Sequence, residues 1–148
     1  MYFDHLSSEK VGKLNEAWEV ACEYVIVNDL DNFKKLIGEN KDLLNWQHEE
    51  HHKSTLLRAI CDLPDRDPFI EFLLSNKEIN MELKDNKGLT ACMYASSKGH
   101  SSIVSLLLDR GADVNVKDNY GCTACIVATQ YGHLSTLSLL LDRGADIH

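Results

Sequence analysis

Hydrophobic residues in the last part of the chain recur at the spacing of a helix with one buried face. The clearest example has leucines three or four positions apart, at Leu134, Leu137, Leu140 and Leu141. This spacing places the leucines on one side of a predicted helix, which Gly144 ends. A shorter helix is predicted before it, over residues 124–131, because Thr123 is a good N-cap and Gly132 is a good terminator. The pattern therefore predicts a unit of turn, helix, turn and helix.

The same unit occurs twice in succession. Residues 85–115 and 118–148 align at an offset of 33 positions (118 − 85), and 19 of the 31 aligned positions are identical. Each unit starts with a predicted turn, such as Asp118-Asn119-Tyr120-Gly121, in which the glycine is free to take a positive φ. One such unit cannot bury its own hydrophobic face, so neighbouring units must stack on it. We therefore expect a stack of repeated helix pairs.

The repeated residues resemble the ankyrin repeat, whose unit reads D-x-x-G-x-T-P-L-H-x-A-A-x-x-G-H and ends L-L-x-x-G-A-x-x-N. One unit matches at Asp85, Gly88, Thr90, Ala95, Gly99, His100, Leu107, Leu108, Gly111, Ala112 and Asn115, and the next at Asp118, Gly121, Thr123, Ala128, Gly132, His133, Leu140, Leu141, Gly144 and Ala145. The family's T-P-L-H is replaced by Thr90-Ala91-Cys92-Met93 and Thr123-Ala124-Cys125-Ile126, which lack the proline and the histidine. The resemblance implies an all-α solenoid of about four helix-turn-helix units joined by β-hairpin-like fingers.

Weaker versions of the unit are recognisable upstream. We expect a single domain over residues 1–148, with a capping unit near 8–45, a degraded unit near 46–84, and the two clear units at 85–117 and 118–148. In the capping unit, Ser7 or Ser8 is predicted to start the first helix and Asp31 the second. In the degraded unit, Asp67 is a predicted cap, with Pro68 at the first helical position.

Composition and charge limit the classes of function. The chain has 44% hydrophobic and 26% charged residues, as ordinary folded proteins do, and a net charge of −8. A negative field repels phosphate backbones, so we expect a protein partner, with a basic segment favoured, and no nucleic acid. No apolar run approaches the roughly 20 residues of a membrane helix, and the N-terminus is too polar for a secretory signal. Five cysteines, an odd number, then favour reduced thiols in the cytoplasm or nucleus.

Two short motifs suggest metal or redox chemistry but disagree with the repeat. Residues 48–52 read HEEHH, which matches the H-E-x-x-H of zinc proteases, a motif that works only on a helix. The repeat places them in a finger, where we expect an extended hairpin that separates His48 from His52 by about 13 Å and leaves no third ligand nearby. These histidines would then form, at most, a pH-sensitive edge of a binding surface.

Cys122 and Cys125 form a CxxC motif, but the repeat register turns Cys125 inward. We therefore expect structural thiols, with a redox-sensitive Cys122 as the alternative.

Residues that do not recur between units are better candidates for binding a partner than residues that do. His100 and His133 recur, which is typical of packing or capping. The ankyrin resemblance implies that partners bind the finger tips and the faces of the first helices. On that basis the predicted contacts are Asn86, Lys87, Leu89, Ser97, Lys98, Lys117, Asn119, Tyr120, Cys122, Gln130 and Tyr131, together with His51 and His52 of the first finger. Tyr120 and Tyr131 are the main candidates because tyrosine gives a large contact area, the alternative being that they only pack on neighbouring fingers.

These observations predict a non-enzymatic protein-interaction module with no catalytic residue, cofactor or metal ligand. The alternative is a regulatory or scaffold segment of a larger protein, with an enzyme such as a kinase or an acyltransferase beyond His148. It is motivated by the last predicted unit, which stops inside a finger without a polar cap. Asn115 lies in ADVNVKD, which resembles the site at which some ankyrin proteins carry a hydroxylated asparagine. The sequence does not predict an oligomeric state.

Overall fold

The computed structural model describes residues 6–146, which fold into four consecutive helix pairs. The α-helices are α1 (Ser8–Ile26), α2 (Leu30–Glu39), α3 (Leu56–Ile60), α4 (Asp67–Leu74), α5 (Ala91–Lys98), α6 (Ser101–Asp109), α7 (Ala124–Gln130) and α8 (Leu134–Asp142). Two short 3-10 helices, Lys41–Asn45 and Glu49–His51, lie between α2 and α3. Ile147 and His148, the last residues of the predicted fourth unit, lie outside the described residues. The predicted all-α solenoid is confirmed.

The helices form two layers. The first helices of successive pairs contact one another along the chain, α1 with α3, α3 with α5 and α5 with α7. The second helices do the same, α2 with α4, α4 with α6 and α6 with α8. Each pair therefore buries its hydrophobic face against its neighbours, as stacked repeats do. Within residues 6–146, no helix is long and apolar enough to cross a membrane.

Local sequence explains where the first helices begin and end. Thr55, Thr90 and Thr123 precede α3, α5 and α7, and each side-chain oxygen accepts a hydrogen bond from the backbone N–H three residues later. This bond pairs one of the N–H groups that the first turn of a helix leaves without a partner. Gly99 and Gly132 take positive φ values of 72° and 74° just after α5 and α7. The chain can therefore turn at once into each second helix.

The core is a continuous layer of buried side chains between the two rows of helices. Its largest fully buried members include Phe33, Phe69, Leu73, Ile103 and Leu107. The rings of Phe33 and Phe69 meet edge to face with centroids 5.0 Å apart, which joins α2 to α4. The four leucines predicted to share one buried face of α8 differ in how deeply they are buried. Leu140 is buried and Leu137 partly so, whereas Leu134 and Leu141 are 74% and 41% exposed.

The second and third fingers, which follow α4 and α6, are tight turns closed by aspartate. The Oδ1 atom of Asp85 accepts hydrogen bonds from the backbone N–H groups of Lys87 and Leu89. Asp118 makes the same two bonds in the next finger. Successive fingers are joined by a backbone hydrogen bond from the Asn119 N–H to the Lys87 carbonyl. These aspartates, rather than the histidine absent from the family's T-P-L-H position, hold the turns.

The structure corrects two predicted helix starts. Asp29, not Asp31, caps α2, and its carboxylate accepts hydrogen bonds from both the backbone and the side-chain nitrogens of Asn32. In the degraded unit, Arg66 is the N-cap of α4, so Asp67 is already helical and Pro68 is the second helical residue. The Arg66 side chain is held by the end of α1, where it donates to the carbonyl oxygens of residues 25 and 26. Contacts between units therefore set this start.

Candidate functional site

A groove of about 390 Å³ opens beside α3, α5, α7 and two fingers. It is lined by Arg58, Lys87, Leu89, Tyr94, Ser97, Lys98, Asp118, Tyr120, Val127, Gln130 and Tyr131. Seven of these were predicted contacts: Lys87, Leu89, Ser97, Lys98, Tyr120, Gln130 and Tyr131. The fold therefore brings together about half of the predicted residues on the face formed by fingers and first helices.

The two predicted tyrosines are the most prominent apolar side chains of the groove. Tyr120, at the tip of its finger, is 84% exposed, and Tyr131, just after α7, is 66% exposed. Side chains this exposed do not contribute much to the stability of the fold. The alternative, that the tyrosines only pack on neighbouring fingers, therefore explains little of their surface.

Sequence reasoning missed four lining residues, namely Arg58, Asp118, Val127 and the aromatic Tyr94. Its ring lies under the Arg58 guanidinium, with Cζ 3.8 Å from the ring centroid, a cation–π arrangement. Its hydroxyl donates a 2.8 Å hydrogen bond to Asp62, and the Lys98 Nζ atom lies 3.2 Å from the same carboxylate. A signal for Tyr94 was present, because it falls at a variable position of the ankyrin motif and is Val127 one unit later.

The wall of the groove is held by charge as well as by packing. Partial burial raises the pKa of Asp62, but hydrogen bonds from Tyr94 and Lys98 outweigh it and hold the pKa below its usual value. The Arg58 side chain is also held by charge, because its Nε atom lies 3.2 Å from the buried Asp85 carboxylate. That contact is an ion pair but does not have hydrogen-bond geometry. Arg58 and Tyr94 are therefore fixed before any partner arrives.

The remaining predicted contacts lie outside the lining of the groove. Asn86 and Asn119 take part in finger stacking, since the Asn119 side-chain amide donates to the Asn86 carbonyl oxygen at 2.9 Å. Lys117 lines a second groove, of about 560 Å³, beside α7 and α8. Cys122 is half-buried. His51 and His52 lie in the adjacent first finger, where the Asn86 N–H donates a 2.8 Å hydrogen bond to the His52 carbonyl oxygen and the His51 ring stacks on Trp18 of α1.

The recurring histidines both contact a carbonyl oxygen of the preceding unit, through different ring nitrogens. The Nδ1 atom of His100 lies 2.9 Å from the Cys61 carbonyl oxygen, and Nε2 of His133 lies 2.9 Å from the Ser97 carbonyl oxygen. Each ring therefore joins the start of a second helix to the preceding unit. The interpretation of these histidines as packing and capping residues agrees with this geometry.

Comparison with known protein families decides the classification. A family model described as ankyrin repeats (3 copies) matches residues 19–118 and, in a second overlapping match, residues 56–148. The chain belongs to the ankyrin repeat family. Ankyrin repeats are generally protein–protein interaction modules, and catalysis is not typical of them. No curated protein matches the chain.

The cysteines of this ankyrin domain are all unpaired thiols. Cys92 and Cys125, at the position where the ankyrin motif has leucine, are 3% and 5% exposed, so the register placed Cys125 correctly. Burial raises the pKa of Cys92 to about 12 and also raises that of Cys125. A thiol in such surroundings is a small hydrophobic group rather than a nucleophile.

The first finger of the ankyrin stack is not the extended hairpin that its sequence predicted. The turn contains the 3-10 helix Glu49–His51, and His52 and Lys53 both have positive φ. The rings of His48 and His51 therefore meet, with centroids 4.5 Å apart. Only an isolated β-bridge, between His48 and Ser54, is found among residues 6–146.

The expectation that no third ligand lies near these histidines is wrong. Glu19 of α1 points at the finger, and its Oε1 atom lies 3.4 Å from Nε2 of His48 and 3.8 Å from Nε2 of His51. His48 is 1% exposed. Burial and the neighbouring His51 hold the pKa of His48 below its usual value, against the opposing effect of Glu19 and Glu50. No sequence pattern relates Glu19 to the HEEHH motif, because the contact depends on how α1 packs beside the finger.

Proposed function

We propose that this ankyrin domain is a non-enzymatic module that binds a segment of a protein partner in the groove lined by Tyr94, Tyr120 and Tyr131. The observation that carries the proposal is that Tyr120 and Tyr131 line this groove and are 84% and 66% exposed. Tyrosine and arginine are enriched among the residues that dominate binding energy at interfaces. Arg58, stacked on Tyr94, adds a preorganised cation to the lining.

The charge of the groove refines the expectation of a basic partner. Three of its four charged lining residues, Arg58, Lys87 and Lys98, are basic, whereas Asp118 is acidic. By contrast, α1 and the first finger expose acidic residues, namely Glu16, Glu19, Glu23, Glu49 and Glu50. We therefore propose that an uncharged or acidic part of the partner enters the groove, while a basic part faces the first unit. Charges arranged in this way would orient the partner along the stack.

Partner capture with crosslinking and mass spectrometry tests the proposal. The chain carrying Tyr120→Ala and Tyr131→Ala should lose most of the partner that the unchanged chain captures. Leu134→Ala is the matched control, because Leu134 is 74% exposed on α8 and does not line the groove. Binding that survives the double substitution, or that falls equally with Leu134→Ala, would contradict the proposed surface.

The proposed compartment is reducing, namely the cytoplasm or the nucleus. Its support is that none of the five cysteines is in a disulfide, including the half-buried Cys22 and Cys122. Disulfides are rare where glutathione and thioredoxin keep thiols reduced. Fractionation of the cells that produce the protein, followed by detection with an antibody, would test this assignment.

A modification at Asn115 is a separate proposal, supported by the ankyrin motif around it. Asn115 is exposed, and its side-chain oxygen accepts a 2.7 Å hydrogen bond from the Asp146 backbone N–H. After exposure to an asparagine hydroxylase, a peptide that contains Asn115 should gain 16 Da, the mass of one oxygen atom. An unchanged mass would remove the proposal.

The second candidate function is a regulatory or scaffold segment of a larger protein. It is favoured by the groove beside α7 and α8, where Ile126 and Leu141 leave apolar surface exposed. A further repeat or another domain packed there would cover that surface, as neighbouring repeats do elsewhere in the stack. The coding sequence beyond residue 148 tests this candidate, which a stop codon at that point would contradict.

A further inference from the structure

The histidine-rich first finger is built so that two imidazole rings face the same point. The backbone N–H of His48 donates to the Ser54 carbonyl, and the His48 carbonyl accepts bonds from the N–H groups of His51 and Lys53. These three bonds, 2.9 to 3.1 Å long, close a tight loop. Because the 3-10 turn Glu49–His51 brings His51 back over His48, both rings project from the loop towards α1.

Glu19 completes a set of three converging ligand atoms. Its carboxylate and one nitrogen from each of His48 and His51 all lie within 4.8 Å of one another. The distances from Glu19 Oε1 are 3.4 Å to His48 Nε2 and 3.8 Å to His51 Nε2. A tetrahedral zinc ion with bonds of about 2.1 Å keeps its ligand atoms about 3.4 Å apart. The two distances from Glu19 are close to this value, and the third separation, which is within 4.8 Å, would close as the ion binds.

The two ring nitrogens of His48 lack hydrogen bonds although the side chain is buried. His48 is 1% exposed, and neither Nδ1 nor Nε2 makes a hydrogen bond. The 3.4 Å contact with Glu19 is close enough for an ion pair, but it does not have hydrogen-bond geometry. An unpaired buried polar group costs about 1–3 kcal/mol, so native structures rarely keep one without a reason. A metal bound at Nε2 would give that nitrogen a partner, whereas Nδ1 would still have none among the described residues.

Trp18 forms one wall beside the rings. Its indole lies 4.8 Å from the His51 ring, nearly parallel to it, and 5.0 Å from the His48 ring, edge to face. Both rings are therefore held in place by packing before any ion binds. On the open side, the side chains of Glu19 and His51 are 55% and 48% exposed. An ion can thus enter from solvent towards a preformed set of ligands.

We propose that Glu19, His48 and His51 bind a zinc ion between α1 and the first finger. Two imidazoles and one carboxylate are ligands that suit zinc better than magnesium or calcium, which prefer oxygen alone. Three protein ligands leave a fourth position of the ion free for water or for a side chain of a bound protein. The ion would fasten α1 of the capping unit to the first finger.

The competing explanation is that Glu19 only pairs electrostatically with the histidines and binds no metal. Zinc titration of tag-free, chelator-treated protein under reducing conditions separates the two explanations. We expect roughly one zinc ion per chain and a melting temperature that rises with zinc, because an ion that binds only the folded state stabilises it. Magnesium at the same concentration should not raise the melting temperature.

Matched substitutions assign the binding to the three residues. His51→Ala and Glu19→Gln should each weaken zinc binding about tenfold or more, a loss of about 1.4 kcal/mol. His52→Ala and Glu23→Gln are the controls, because each removes the same type of group from the same element but from outside the cluster. Both controls should leave the affinity within a factor of about two.

Two results would overturn the proposal. One is zinc content well under one equivalent at saturating zinc in a protein that circular dichroism shows to be folded. The other is zinc binding that survives His51→Ala and Glu19→Gln, which would assign the ion to thiols such as Cys22 or Cys122. His48→Ala is not needed for either result, which matters because His48 is buried and its removal risks the fold.

Discussion

A single methyl group added at Gly99 should destabilise the protein more than the same group added at Gly132. The two glycines occupy the same place in successive units, with φ values of 72° and 74°. A Cβ atom at Gly99 would lie 2.5 Å from Nδ1 and 2.8 Å from Cγ of His133, whereas at Gly132 it would meet nothing within 4 Å. Gly132→Ala is therefore a control that reproduces the backbone strain without the contact.

The expected magnitudes follow from two separate effects. Alanine in the left-handed region costs roughly 1–2 kcal/mol, and both substitutions carry this cost. At Gly99 the His133 ring must also shift, which breaks its 2.9 Å contact with the Ser97 carbonyl. One such hydrogen bond contributes about 0.5–1.5 kcal/mol. We expect Gly99→Ala to lower the free energy of unfolding by about 1 kcal/mol more than Gly132→Ala.

Urea unfolding, followed by far-ultraviolet circular dichroism, measures both losses. The same pair of substitutions is then repeated in a His133→Ala background, where the ring that causes the clash is absent. There the excess loss at Gly99 should disappear, which makes the contact measurable as a coupling energy between Gly99 and His133. Equal losses for the two alanines in the parent protein, or an excess that persists without the His133 ring, would refute the reasoning.

Two further predictions concern groups whose pKa the fold shifts. Since the folded-state pKa of Asp62 is lowered, its bond with Tyr94 should stabilise the protein above the unfolded pKa of about 3.9 and lose that effect as the pH falls. In urea unfolding, Tyr94→Phe should lower the free energy of unfolding by under about 1 kcal/mol at pH 7, because Asp62 is half exposed, and by less at pH 3. An equal loss at both pH values would contradict this prediction. Burial raises the pKa of Cys61, so alkylation of the native protein should label the half-buried Cys122 before Cys61. Peptide mass spectrometry measures the order of labelling, and labelling of Cys61 first would contradict the prediction.

The fold of the last two units could be read from sequence because every signal in them is local and occurs twice. Thr90 and Thr123 cap helices by bonding to a residue three positions on, and Gly99 and Gly132 end them. In the capping unit the same signals are ambiguous. Asp29 and Asp31 are both acceptable N-caps, and propensity alone does not choose between them.

The candidate groove was partly predictable for a related reason. Residues that vary between aligned units are free of the packing that repetition imposes, and seven of those predicted do line the groove. Tyr94 meets the same criterion, because the aligned position one unit later is Val127. Its contacts with Arg58 and Asp62 join residues 36 (94 − 58) and 32 positions apart, and no periodic pattern identifies such partners.

The histidines show how recurrence separates structural from functional side chains. His100 and His133 recur, and each places one ring nitrogen 2.9 Å from a carbonyl oxygen of the preceding unit. His48 does not recur, is more deeply buried than either, and has no hydrogen bond at either nitrogen. His48 therefore differs from the two recurring histidines, whose rings each contact a carbonyl oxygen of the preceding unit. The convergence of its ring with His51 and Glu19 supports the proposed metal ion rather than a third copy of the structural contact.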